Sequence, residues 1–434
     1  MIKLIFKNIL ASRGRYLPVM VELILIAAVA WLVLEPVIVQ KYLLDRHPGY
    51  EPDRLVRIEV GERSSAEEYS RADRYADLLR LLSRLRSFPE VESATIATSK
   101  SFESRNINAN SYPCDSTGGA YFEVDFVKGQ DFFKTFGIRS SGGPDDGKVF
   151  SEPPLGDHDR IVSRGMAQVM HPGVNPIDHY INEYSETYTH GRKDLIVGVV
   201  EDAVYLPRFS RSAIVYIPKS DEDMEKNMGG FYNTSLIARM KPGVSPADFV
   251  RDNYETIGRD LRSGRAYAHS PMTFSEYRDI QSIDMRKGNF LMSALALFLI
   301  VNLFLCVTGS FYLQTRDRSR DAGIMRAFGA SRASIMLNLI AEGWMMTILA
   351  WIIGCAGVYF WVEKDGLTKG QELMDQPSQR LVEAIPLWID NFGQHFAIVS
   401  AVVLGLMLLS VTLGIWLPAR HISRVSPVDA LREE

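Results

Sequence analysis

Four apolar runs constrain this chain more than anything else in it: Leu17–Val39, Asn289–Tyr312, Leu339–Val362 and Phe396–Leu417. Each is close to the ~20 residues that a helix needs to cross a ~30 Å hydrocarbon layer. The second and fourth contain no Asp, Glu, Lys or Arg at all. One such run could be a buried helix of a soluble protein, but four together predict membrane spans, arranged one plus three. The first run is too long for the apolar part of a signal peptide. The residues after it, VIVQKYLLDRHPGY (37–50), offer no small-x-small cleavage site, so an uncleaved anchor is expected.

The formal net charge of −4 points to no partner, and nothing in the composition suggests nucleic acid. Placement of charge says more. Lys3, Lys7, Arg13 and Arg15 precede the first run; Arg316, Arg318, Arg320, Arg326 and Arg332 lie between the second and third; Arg420, His421, Arg424 and Arg432 follow the fourth. The connection between the third and fourth is richer in acids: Glu363, Asp365, Glu372, Asp375, Glu383 and Asp390. Positive charge stays inside. This predicts a multi-pass membrane protein with both termini inside and residues 42–287 outside. MIKLIFKNIL (1–10) places Ile2, Ile5, Phe6 and Ile9 on one helical face beside Lys3 and Lys7, as a helix lying on membrane lipid would. Cys306 and Cys355 fall within spans and Cys114 is alone outside, so the outer domain must be held by a core rather than a disulfide.

Within the outer region RLVRIEV (54–60) reads as a strand. A helix is expected over 65–88, with Ser65 and Glu68 as a capping box and Tyr69, Ala72, Ala76, Leu79 and Leu82 on its buried face, ended by Pro89. VESATIA (91–97) is a second strand. A similar unit comes late: a strand over 234–240, then a helix over 245–261 capped by Ser245. The two units should share one α/β layer. Between them YFEVDFV, DRIVS, DLIVGVVED and AIVYIP predict an inserted β-rich lobe, with DSTGG and SSGGPDDGK as loops.

Motifs of chemistry are missing from these 434 residues: there is no G-x-x-x-x-G-K-[ST], H-E-x-x-H, C-x-x-C or G-x-S-x-G. Asp157, His158 and Asp159 cluster in GDHDR, but a loop cluster of this kind is ordinarily solvated surface. The parts expected inside the membrane are short for an enzyme. No catalytic, cofactor-binding or metal-binding residue is therefore assigned.

The basic connection RDRSRDAGIMRAFGASRASIM (316–336) is the informative stretch. Ile324, Ala327 and Phe328 form a small apolar face, with Arg320 and Arg326 off it. Gly329 suits a left-handed helix end and Ser331 an N-cap, so a short amphipathic helix at about 318–330 is expected to lead rigidly into the third span. Asp321, Ala322, Gly323, Ile324, Arg326, Ala327, Phe328, Gly329, Ala330 and Ser331, followed by Glu342, resemble the segment after the second span of MacB/FtsX-type ABC transporter permeases. Pro418, Ala419, Arg420, Arg424, Pro427, Ala430, Leu431 and Arg432 resemble that family's C-terminal sequence. VKGQDFFKTFGI, IVSRGMAQVMHPGVNPIDHYI and DLIVGVVEDAVY resemble its extracytoplasmic segments. Asp321, where the family has glutamate, and Ala322, where it has a larger aliphatic residue, depart from the pattern.

The resemblance implies four transmembrane α-helices with a large α/β extracytoplasmic domain, a porter-like lobe carrying the inserted one. It divides the chain into residues 1–41, 42–287 and 288–434. It implies a coupling helix that docks on a separate ABC ATPase subunit, which would bind the ATP, and a homo- or heterodimer of permeases that changes shape outside the membrane. A periplasmic adaptor or outer-membrane component could join it. The size of the outer domain is nearer to the exporter and lipoprotein-release branches than to the cell-division branch. Glu342 matches a family position and is expected to take part in coupling. Glu22 is expected near the inner headgroups or beside an arginine of the coupling segment, and Glu35, next to Pro36, to reach water. A membrane-anchored sensor with an outer ligand site, or a membrane enzyme with an outer active site, is the alternative; association with an ATPase separates them.

Overall fold

The computed structural model describes residues 13–65, 68–104, 109–112, 119–181, 194–206, 213–231, 234–368 and 387–422. The expected helix over 1–10, Cys114, and Arg424, Pro427, Ala430, Leu431 and Arg432 lie outside the described residues. The helices are α1 (Arg13–Asp45), α2 (Arg71–Arg86), α3 (Phe132–Phe136), α4 (Arg164–Met170), α5 (Asp221–Asn227), α6 (Pro246–Asp260), α7 (Phe274–Gln281), α8 (Ile283–Ala327), α9 (Arg332–Asp365) and α10 (Phe392–Ile422). The strands are β1 (Leu55–Glu62), β2 (Val91–Ala97), β3 (Ala109–Tyr112), β4 (Gly119–Val127), β5 (Asp159–Ser163), β6 (Leu195–Val200), β7 (Ile214–Lys219), β8 (Ser235–Met240), β9 (Arg262–Ser263) and β10 (Ala266–Thr273). The chain forms two compact units: a helical one of Met1–Tyr42, Arg286–Lys369 and Leu387–Glu434, and an α/β one of Leu43–Met285 with Gly370–Pro386.

In the helical unit α1, α8, α9 and α10 each contain a stretch long and apolar enough to cross a membrane: Leu17–Asp45, Ile283–Cys306, Arg332–Lys364 and Phe392–Trp416. Residues one helical turn apart build their shared core. From α1 come Val19, Leu23, Ala27, Trp31 and Leu34; from α9 Met346, Ala350, Val358 and Val362; from α10 Val399, Val403, Met407, Val411 and Ile415. The outside is just as apolar, with Phe290 73% and Phe360 72% exposed, which suits lipid and not water. Lipid gives apolar helices no reason to associate, so close approach and polar ties carry the packing. Gly354 supplies the approach: a Cβ there would meet the Ile24 carbonyl at 2.8 Å and the Ala27 methyl at 2.9 Å. Ser400 supplies the ties, its hydroxyl accepting from Trp31 Nε1 at 3.1 Å and its carbonyl from Trp351 Nε1 at 2.9 Å.

The α/β unit holds two sheets. The first has the order β2-β8-β1-β10-β9, antiparallel throughout. β1-α2-β2 and β8-α6-β10 are its two halves, each pairing a strand into the other, the split β-α-β arrangement. The expected strand–helix–strand unit and the later strand and helix therefore share one layer, as the sequence indicates, and β10, which the sequence reading did not include, completes the second half. The second sheet, β3-β4-β7-β5-β6, is mixed, and it is the expected insertion between β2 and β8. Alternation sorts the first sheet's side chains. Val56, Ile58, Val60, Leu236 and Ala238 face α2 and α6, while Leu55 and Ile237 face the inserted lobe.

Two expectations about α2 are corrected. Its N-cap is Ser70, whose hydroxyl accepts from Asp73 N at 3.1 Å, and not Ser65. Its buried face is Tyr75, Leu78, Leu81, Leu82 and Leu85, while Ala72 is exposed. Leucines remove far more apolar area from water than alanines, so the helix rolls toward them.

Asp77 on that face is 3% exposed. Its carboxylate accepts from the Ser263 hydroxyl at 2.7 Å, Arg80 at 2.7 Å and the Tyr69 hydroxyl at 2.5 Å. Burial alone would raise its pKa; the hydrogen bonds from Tyr69, Ser263 and the Arg265 amide, with the Arg80 charge, outweigh burial and hold the carboxyl below its usual value. A depressed carboxyl stabilises the fold above the unfolded-state value of about 4 and loses that contribution as pH falls. Asp77→Asn is expected to cost about 1–3 kcal/mol at neutral pH and to flatten the acid side of the stability profile, measured by denaturant unfolding between pH 3 and 7.

Candidate functional site

The segment between α8 and α9 is where the sequence concentrates its signal. A separate helix at 318–330 is not what forms. The backbone of Asp321, Gly323, Ile324, Arg326 and Ala327 makes the last turns of α8, a single 45-residue helix about 68 Å long. The reason lies in composition: no proline interrupts α8, and Gly309 and Gly323 weaken a helix without breaking it. The turn itself forms as expected. Gly329 has φ +89°, a left-handed conformation open to glycine, and the Ala330 amide donates back to the Met325 carbonyl at 3.0 Å. That six-to-one bond is the Schellman closure of a helix C-terminus. Ser331 then caps α9, its hydroxyl accepting from Ser334 N at 3.1 Å. Ordered caps on both sides leave a turn of fixed shape. Phe328, at the turn, is 89% exposed.

The acidic residues of the spans distribute differently. Glu342 is buried on α9. Glu22, on α1, lies beside Cys306 on α8, a neighbour the sequence did not suggest. Glu35 does not reach water: it is 4% exposed. One carboxylate oxygen accepts from Thr368 N at 2.8 Å and the other from the Thr368 hydroxyl at 2.6 Å. His395 of α10 brings Nε2 within 3.1 Å of Glu35 Oε1, off line for a straight hydrogen bond, so the contact is electrostatic. Nδ1 lies 3.0 Å from the Ile389 carbonyl, which only accepts, so Nδ1 carries the hydrogen. Glu35 thus ties α1 to the residues after α9 and to α10, a group whose partners stand more than three hundred positions away in sequence. The only hint was an ionisable residue near the start of the fourth apolar run.

The GDHDR cluster is tied up locally. Asp157 pairs with Lys128 at 3.0 Å, and Asp159 accepts from Gly156 N at 2.6 Å. Among the described residues no group of three or more His, Cys, Asp or Glu is gathered as a metal site would need.

Residues 292–427 match the family described as FtsX-like permease C-terminal. The chain is 27% identical over 242 residues to a macrolide export ATP-binding/permease protein, MacB, of Aeromonas hydrophila, covering 55% of this chain and 33% of that protein. It is 22% identical over 298 residues to the ABC transporter permease YknZ of Bacillus subtilis, covering 67% of this chain and 66% of that one. The matched region thus spans between a third and two thirds of these relatives' lengths. A crystal structure of the periplasmic region of MacB from Actinobacillus actinomycetemcomitans covers 55% of this chain and 96% of its own, at 14% identity and a TM-score of 0.31.

Two substitutions test the turn. Ser331→Ala should remove about 1 kcal/mol from the start of α9 and speed amide exchange at Ser334 roughly fivefold. Gly329→Val should disturb the turn more than Gly329→Asn, because a β-branched residue is strained at positive φ and asparagine tolerates it. Equal exchange in the two Gly329 variants would count against the left-handed turn.

Proposed function

We propose that this chain, homologous to MacB and YknZ and carrying an FtsX-like permease domain over residues 292–427, is the permease of an ABC transporter that converts ATP hydrolysis by an ATPase subunit into movement of its α/β unit. The observation that carries the reading is the fixed turn from Met325 to Ser331. A basic helix end, closed by Gly329 and capped onward by Ser331, presents the exposed ring of Phe328 at the start of a membrane helix. An aromatic residue standing out of a rigid joint is well suited to seat in a partner's pocket. The printed name of MacB joins ATP binding to a permease, which supports placing an ATP-binding partner against this turn.

Charge placement supports the orientation. Arginines flank the α8–α9 turn, while acids gather after α9, so the turn faces the cytoplasm and the α/β unit lies outside. Asp321, Gly323, Ile324, Arg326, Ala327, Phe328, Gly329, Ala330 and Ser331 then form the docking segment, with Glu342 and Glu22 within the bundle that passes the movement on. Two copies of the permease would pair with two ATPases, and substrate would be handled outside the bilayer rather than threaded through it. Movement imposed at the turn reaches the α/β unit only if the elements between hold their shape, and the two well-capped helix ends meet that need.

Phe328→Asp should leave insertion and folding intact and weaken ATPase association at least tenfold, read by co-purification and by ATP turnover in nanodiscs. Cysteines at Ser64 and Ser220 should react with an impermeant thiol reagent applied to intact cells, and one at Ser319 should not. Undiminished association of the Phe328→Asp protein, or labelling at Ser319, would overturn the assignment.

A further inference from the structure

We infer that Glu103 is a positioning residue that binds the inserted lobe to both chain segments leading into the membrane helices, so that the three are displaced together; this rests on the transmitter reading above. Glu103 follows β2, where the inserted lobe begins, and it is fully buried. Its Oε1 accepts from the Tyr50 hydroxyl at 2.7 Å and from Arg278 Nε at 2.7 Å. Tyr50 lies on the segment that follows α1, and Arg278 on α7, which runs into the start of α8. One carboxylate oxygen therefore joins two segments that are far apart in sequence and that both continue into membrane helices.

Everything around Glu103 holds it in place. Its amide donates to the Tyr205 carbonyl at 2.9 Å, and the neighbouring Val204 amide to the Pro48 carbonyl at 2.8 Å. Tyr50 stacks on Phe102 with ring centroids 4.7 Å apart and meets Phe136 and Phe274 edge-on. The backbone of Glu103 is left-handed, with φ +59°, unfavourable for a residue with a side chain and kept only where the surroundings fix it. Burial pushes its carboxyl above the usual carboxylate range, against the pull of Arg278 and the hydrogen bond from Tyr50. Its Oε2 accepts no hydrogen bond among the described residues. For stability alone an apolar side chain would serve as well, because a buried ion pair gains little over a well-packed hydrophobic one. What a carboxylate adds is a fixed geometry between two donors.

The test is a mutant cycle on the full chain in nanodiscs, read as the unfolding equilibrium of the α/β unit. Tyr50→Phe and Arg278→Met each remove one donor. Made together, they should cost about three- to tenfold less than the product of their separate effects, since both act on one oxygen. In a Glu103→Leu background the two should combine without coupling. If Glu103→Leu does not fold, Glu103→Gln replaces it: the acceptor stays and the charge goes, so Tyr50→Phe should keep its effect and Arg278→Met lose most of its own. Independent effects in the wild-type background, or coupling unchanged by either Glu103 variant, would overturn the inference. A second measurement separates it from the transmitter reading. With the ATPase bound, a distance from a label at Ser141 in the inserted lobe to one at the membrane end of α8 should change with nucleotide, and at least twofold less in Glu103→Gln. No change in wild type would sink the transmitter reading and leave the mutant cycle to decide on Glu103; equal change in both proteins would sink the role of Glu103.

Discussion

The α/β unit rests on a layer of aromatic rings between its two sheets. Tyr50, Phe102, Phe122, Phe126, Phe132, Phe133, Phe136, Tyr205, Tyr216 and Phe274 pack there, all essentially buried. Rings of this size each remove some 150–250 Å² from water, so the layer supplies most of what keeps the inserted lobe from hanging loose between β2 and β8. α3 is only five residues long, yet three of them are phenylalanines of this layer. Polar groups gather at its margins. Arg239, nearly buried on β8, pairs with Glu51 and with Glu92 and donates to the Thr135 carbonyl, while Glu51 N donates to the Phe136 carbonyl at 3.0 Å. Glu51 and Glu92 keep about a third of their side chains exposed, so the pairing sits at the edge of the layer.

The helical unit faces the opposite problem. Its surface and interior are equally apolar, so packing cannot be driven by escape from water. The small residue Gly354 and a few directed polar contacts take that role: Trp31 and Trp351 on Ser400, Trp344 on Thr412, and Glu35 with Thr368 and His395. Each involves a donor or acceptor that would otherwise be stranded in hydrocarbon. α8 takes little part, adding Ala296 and Leu303 to the core and leaving Phe290, Leu297 and Phe298 outward.

Periodic features were legible in the sequence and distant partners were not. Apolar length gave the four helices, and alternation with turn residues gave β1, β2, β8 and β4 to β7 of the inserted lobe, while β3 was missed. The start of α2 was missed because Ser65-x-x-Glu68 and Ser70-x-x-Asp73 carry the same capping signature, and only packing of the leucines chooses between them. β10 and α7 went unread because Ser270, at φ +48°, and Pro271 break the strand pattern while β1 pairs it regardless. The small apolar face of Ile324, Ala327 and Phe328 suggested a short separate helix, but without a proline to interrupt it that stretch continues the long helix α8. For the candidate site, Gly329 and Ser331 declared their roles because caps are local. Glu35 did not, because its environment is made by Thr368 and His395 from the far side of two other helices.

If the chain transmits movement as proposed, these two kinds of order bear on it in different ways. A joint that passes displacement must not absorb it, and a helix end absorbs it by fraying, since its last carbonyls and first amides lack helical partners. Between α8 and α9 one such carbonyl is taken by the Ala330 amide and one such amide by the Ser331 hydroxyl, so the turn has few loose bonds to give up first. In the α/β unit Tyr50, Arg278 and the Tyr205 carbonyl converge on Glu103 from three separate stretches of chain. Work done at one end of a linked system appears at the other only to the extent that the parts between have fewer, stiffer states than the ends. On the proposed reading the stiff parts are a capped turn and a buried carboxylate embedded in aromatic rings, and in both a few directed hydrogen bonds add to apolar contact.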